Sequence, residues 1–191
     1  GTVEGSLYGG SNVLGTIYGD VNLNLYGGTF KSAVYGGGKG GYLNSSNPGT
    51  FVRNDINMVL GNEALSPTFE RNVYGGSAFG TVNAITTNPS ASNDTVTINI
   101  NNATVLGNLF GGARGDATYE PYVAGNITVN LNGGNVANLF GGNDQNGDIV
   151  RNSTIYLSGG TVGTVYGAGN QVDGNITIIY LQGSIATTIY G

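Results

Sequence analysis

The chain has 191 residues, carries 6 basic and 11 acidic side chains for a net charge of -5, and contains neither His nor Cys. That composition leaves no His- or Cys-ligated zinc site, no Cys nucleophile, no Ser-His-Asp triad and no disulfide. A sequence pI near 4.3 argues against nucleic acid or an anionic membrane as the partner. With 36 Gly and 26 Asn, small polar residues replace the missing charge. Val, Ile, Leu, Tyr and Phe nevertheless recur in register along the whole chain, unlike a disordered tract.

Taken in chain order, the residues before position 20 read as short N-terminal coils, with Leu7-Tyr8-Gly9 and Ile17-Tyr18-Gly19 close together. An aliphatic–aromatic–Gly phrase then returns at Val34-Tyr35-Gly36, Val73-Tyr74-Gly75 and Leu109-Phe110-Gly111. It returns again at Leu139-Phe140-Gly141, Val165-Tyr166-Gly167 and Ile189-Tyr190-Gly191. Ahead of these phrases stand segments of alternating apolar and polar residues: Asp20–Leu25, Asp55–Leu60, Thr95–Ile100, Asn126–Leu131, Thr154–Leu157 and Asn175–Ile178. Alternation with a period of two is a strand buried on one face. The copies align with slips of one residue. Gly pairs such as Gly133-Gly134 mark corners, since Gly tolerates positive φ.

A unit of strand, corner, strand and corner cannot bury its apolar face alone, so copies must stack. The expected fold is all-β: a parallel β-solenoid, wound as a right-handed β-helix of about six to seven coils, forming one domain over residues 1–191. Length variation is expected at one corner, between the aromatic phrase and the next strand, with insertions near 39–54, 77–94 and 113–125. Gln171 to Gly174 leaves almost no insertion there. Such loops emerge side by side and form the natural ligand-bearing face.

The aromatics Tyr18, Tyr35, Tyr74, Phe110, Phe140, Tyr166 and Tyr190 are expected to form a structural ladder rather than an outward platform for sugar rings. Arg114-Gly115-Asp116, followed by Tyr119 and Tyr122, is the candidate ligand-binding segment on an insertion loop. Asn143-Asp144-Gln145-Asn146-Gly147-Asp148 offers oxygen ligands suited to Ca²⁺, but it departs from the calcium β-roll pattern at Asp144 and Asn146, so a turn is the favoured reading and no cofactor is expected. Asn-X-Ser/Thr sequons stand at Asn44, Asn93, Asn102, Asn126, Asn152 and Asn175. Several fall at equivalent places in the repeat and are read as stacked Asn and Thr ladders. The scattered carboxylates, with Arg at 53, 71, 114 and 151 and Lys at 31 and 39, do not recur as a set, so no enzyme is expected.

The unit Asn126-Ile-Thr-Val-Asn-Leu-Asn-Gly-Gly, followed by Val136 to Phe140 and a Gly pair, resembles the repeats of large bacterial and archaeal cell-surface adhesin-like proteins. The likeness extends from about Asp20 to Gly191. It implies a pectate-lyase-like parallel β-helix at the cell surface or outside the cell, with surface attachment or envelope structure as the role. The expected partners are a glycan or protein surface, or further copies of the chain end to end as a filament or sheath, without membrane insertion.

Overall fold

The computed structural model describes residues 1–41 and 49–191. The Asn44 sequon and part of the 39–54 insertion lie outside them. The first strands are β1 (Thr2–Val3), β2 (Leu7–Tyr8), β3 (Gly15–Ile17), β4 (Val21–Leu25), β5 (Thr29–Phe30), β6 (Val34–Tyr35) and β7 (Thr50–Val52). Next come β8 (Ile56–Leu60), β9 (Thr68–Phe69), β10 (Val73–Tyr74), β11 (Thr81–Val82), β12 (Thr95–Ile100) and β13 (Thr104–Phe110). The chain continues through β14 (Asn126–Leu131), β15 (Asn135–Phe140), β16 (Asp148–Ile149), β17 (Ser153–Leu157), β18 (Thr161–Tyr166), β19 (Gln171–Val172), β20 (Ile176–Tyr180) and β21 (Ile185–Tyr190). There is no helix among the described residues, and so none long and apolar enough to cross a membrane.

Every strand pairing is parallel, and strands equivalent in the repeat pair with one another, an arrangement compatible with a parallel β-solenoid. The alternating segments stack as a six-stranded sheet, β4-β8-β12-β14-β17-β20. Its register has no slip: Val21, Ile56, Val96, Ile127, Ser153 and Ile176 lie side by side. The slips expected from the sequence vanish because Ser153, not Thr154, takes the inward position, where its hydroxyl bonds the Gly141 carbonyl at 2.8 Å.

The aromatic phrases close a second sheet of ten strands. Early in the chain each crossing of this sheet is broken into two short strands, such as β9 and β10; from β13 onward one longer strand spans both, with an irregularity between Val105 and Asn108. The sequence reading contains no third sheet, yet one exists. Strands β3-β7-β11 continue through bridges Val82–Val123 and Val123–Ile149 to β16-β19. Its inward residues Val52, Val82, Val123 and Ile149 join one core with Met58, Ile98, Val129 and Leu139. Burying each such side chain contributes roughly 1.5–3 kcal/mol.

This third sheet changes where the insertions emerge. The 77–94 stretch contains β11, and its extra residues follow β11 and precede β12, at a different corner from Ala113–Gly125. The insertions therefore leave from two corners rather than one.

Candidate functional site

Within the second sheet the aliphatic member of each phrase from Leu7 to Val165 points into the core and the aromatic member points outward. The outward rings form a continuous column: Tyr8, Tyr35, Tyr74, Phe110, Phe140, Tyr166 and Tyr190, with centroids 4.5–5.1 Å apart and planes within 16° of parallel. Tyr18 does not belong to it. Ile17-Tyr18-Gly19 ends a strand of the third sheet, and Tyr18 is 64% exposed. Tyr8 takes the place expected for it. Tyr26, in the same kind of phrase, ends the alternating sheet and is also exposed.

Both faces of every ring between Tyr8 and Tyr190 are taken by its neighbours, so along most of its length the column presents ring edges rather than a platform for sugars. The close approach depends on the Gly after each ring. A Cβ on Gly75 would overlap the Gly111 carbonyl oxygen and Val96 Cγ1. Beyond the Gly pair the corner continues as a backbone ladder, with Arg114 N–H donating to Ser77 O at 3.1 Å and Asp144 N–H to Ala113 O at 3.0 Å. Ala78 and Phe79 of this corner pack against the middle rings, so Tyr35, Tyr74 and Phe110 are buried.

Between the ring edges and the corner lies a cleft of about 450 Å³, lined by Tyr35, Arg71, Asn72, Tyr74, Arg114 and Asp144, with Ser32 and Gln145 at its margins. The Tyr74 hydroxyl donates to Asp144 Oδ2 at 2.8 Å and accepts from Asn72 Nδ2 at 3.0 Å. Asn72 is held in turn by the Asn108 N–H, 2.9 Å from its Oδ1. Arg114 lies beside the Tyr35 hydroxyl and has its guanidinium 5.2 Å from the Phe79 ring centroid. Burial, which disfavours the phenolate, pushes both Tyr35 and Tyr74 above the ordinary tyrosine range. A second hollow of about 340 Å³ adjoins the first and shares Asp144; its walls are Phe110, Phe140, Tyr166 and Tyr190, where the corner segments are short. The two hollows make one groove along the stacking direction, polar at one end and apolar at the other.

Four of the five candidate ligand residues stand close together, since Arg114 and Tyr119 both pack on Phe79 and Asp116 bonds Tyr119, while Tyr122 lies apart. Arg114 lines the cleft. Gly115, at φ +66°, stacks under the Asn146 backbone, and Asp116 Oδ1 accepts the Thr118 and Tyr119 N–H groups at 2.8 and 3.0 Å, so the tripeptide is folded into the corner ladder instead of standing on a loop tip. Tyr119 tilts against Phe79 at 5.3 Å. Tyr122 lies instead near Asp148, Glu120 and Asp173; burial first, and then Asp173 and Glu120, raise the Asp148 carboxyl.

The oxygens of the 143–148 segment are shared out among separate partners. Asn143 Oδ1 takes the Ala113 N–H at 2.6 Å, Asp144 takes Tyr74, and Asn146 Oδ1 takes the Gly147 N–H at 2.9 Å. Asn126, Asn152 and Asn175 form a ladder, as Asn152 Nδ2 donates to Asn126 Oδ1 at 3.2 Å and Asn175 N–H to Asn152 Oδ1 at 2.8 Å. Arg71, Asn72 and Asp144 are the groove residues that sequence reasoning missed as a set. They come from different repeats, and their only shared signal is a position beside an aromatic phrase. No protein-family model, no curated protein and no solved structure matches the chain.

Proposed function

We propose that this chain is a non-enzymatic β-solenoid module that works outside the cell or at its surface, in adhesion or surface display, and that its groove binds a glycan or a protein surface. The observation that carries the reading is the groove itself: hydroxyl, amide, guanidinium and carboxylate groups converge at one end, and aromatic edges line the other. Convergent polar groups beside a stretch of aromatic edges can hold a carbohydrate-sized ligand and fix its orientation. Parallel strands sit roughly 4.8 Å apart, so the groove spans several sugar units laid along the stacking direction. A glycosidase would need two carboxylates across the bond, and the groove supplies Asp144 alone. The reading includes right-handed winding, about six to seven coils, an adhesin-like and pectate-lyase-like affinity, no cofactor, no nucleic-acid partner and no membrane insertion.

Calorimetric titration and a glycan-binding panel test it, with Tyr166→Ala and Arg114→Ala as groove variants. Saccharide binding that both variants weaken supports the proposal. Binding that neither variant alters moves the site elsewhere and defeats it.

A second reading, a subunit of a filament or sheath, draws on the last stacked strands. Ile185 and Tyr190 are 66% and 55% exposed, with Tyr180 and Leu181 also open. A strand edge of this kind accepts another layer, from whichever chain supplies it. Electron microscopy with light scattering across concentration decides: regular fibres favour the polymer, and a monomer at every concentration sinks it.

A further inference from the structure

We infer that the groove selects an acidic saccharide, a sugar bearing a carboxylate that Arg71 and Arg114 recognise; this rests on the glycan reading above. Both guanidiniums line the same polar cleft. Neither forms an ion pair among the described residues, where Lys31 instead pairs with Glu4 at 3.0 Å. Arg114 is half-buried, with the Tyr35 hydroxyl beside it and the Phe79 ring centroid 5.2 Å from its guanidinium carbon. A guanidinium has five N–H donors in a planar fork, so the nearby Tyr35 hydroxyl leaves most of that fork to a ligand. A guanidinium fork beside an aromatic ring is suited to a planar carboxylate, which accepts two parallel bonds.

The one carboxylate in the cleft does not supply that partner. Asp144 Oδ2 receives the Tyr74 hydroxyl, and Tyr74 is fixed by Asn72. The cleft lining carries two guanidiniums against one carboxylate, an excess that Asp116, just outside the lining, offsets in part at Arg114, on a chain whose net charge is -5. A wholly neutral sugar gains nothing from that excess, whereas a dense polyanion meets the repulsion of the chain as a whole. A ligand with sparse carboxylates satisfies both conditions. The neutral margin residues Ser32, Asn72 and Gln145 are left to pair with sugar hydroxyls, and the apolar hollow beyond Asp144 receives the neighbouring units of the oligosaccharide.

The test uses the full chain and oligosaccharides in matched pairs differing in one carboxylate, glucuronate against glucose and sialylated against desialylated, measured by titration calorimetry at low and high salt. The acidic member is expected to bind about tenfold or more tightly, as charge-assisted bonds require, and the preference is expected to shrink as salt rises. Arg71→Gln and Arg114→Gln should each bring the ratio towards one, while Lys31→Gln, outside the groove, leaves it unchanged. Arg71 is exposed, so R71Q keeps the test decisive if R114Q fails to fold. Equal binding of both members, still weakened by Tyr166→Ala, overturns the acid preference and leaves the glycan reading standing. No binding of any member overturns both.

Discussion

At the scale of single residues, tolerance is decided by how closely successive layers approach. Gly75 sits where its neighbour's carbonyl and a core methyl leave no room for a side chain. Gly75→Ala is expected to cost about 3 kcal/mol, because backbone rather than a flexible side-chain end must give way; urea denaturation measures it, and a loss under about 1 kcal/mol would show that the layers can part cheaply. Tyr74 is limited differently, through its hydroxyl. Tyr74→Phe keeps the ring stack but strands Asp144 and Asn72, for an expected loss of about 1–2 kcal/mol at neutral pH. Its protonation also has a sign. Burial raises the folded pKa of Tyr35 and Tyr74, while the unfolded chain releases those protons near pH ~10. Above that pH the folded state holds more protons than the unfolded, so their stabilisation, complete at lower pH, is lost as pH rises towards the folded values. The alkaline limb of the stability profile should flatten in Tyr74→Phe; an unchanged limb would place the titration elsewhere.

At the scale of elements, the ring column and the alternating sheet were legible because each rests on a pattern several residues long. The third sheet was not, because β11, β16 and β19 are two residues each and too short to show alternation. A weaker signal does exist. Ile17, Val52, Val123, Ile149 and Val172 each stand four residues before the first inward position of the next alternating strand, at Val21, Ile56, Ile127, Ser153 and Ile176. Val82 breaks the rule through the insertion that follows it. Tyr18 misled for the opposite reason: its phrase matches, but its place in the repeat does not. From Tyr35 onward column members follow the end of an alternating strand by nine residues, as from Leu131 to Phe140, up to fourteen, from Leu60 to Tyr74; Tyr8 and Tyr18 both precede the first such strand, and only pairing separates them, β2 with β6 and β3 with β7. The groove was legible only at Arg114, since Arg71 and Asp144 reach it from repeats dozens of residues apart. Position in the column sets the cost of losing a ring. Phe110 is 3% exposed and stacked on both faces, so Phe110→Ala should cost about 3–4 kcal/mol. Tyr190, more than half exposed and stacked on one, should cost about 1 kcal/mol or less. Equal losses in thermal denaturation would contradict the stacked arrangement.

At the scale of the molecule, each layer touches only the layers beside it, so protection should depend on the number of neighbours. Amide hydrogen exchange is expected to be slowest in β12 and β14, flanked on both sides, and faster in β1 to β3 and in β20 and β21; uniform exchange would mean a fully cooperative unit instead. The order of rings in the column has an optical consequence. The chain has no Trp, so its near-ultraviolet signal comes chiefly from tyrosine. Along the stack, Tyr8, Tyr35 and Tyr74 are in contact, then Phe110 and Phe140 intervene, then Tyr166 and Tyr190 follow. The phenylalanine pair separates two sets of electronically coupled phenols, a triplet and a doublet. Near-ultraviolet circular dichroism of this chain therefore contains two independent couplets, each an intrinsic gauge of order in its own half of the stack, with no label attached.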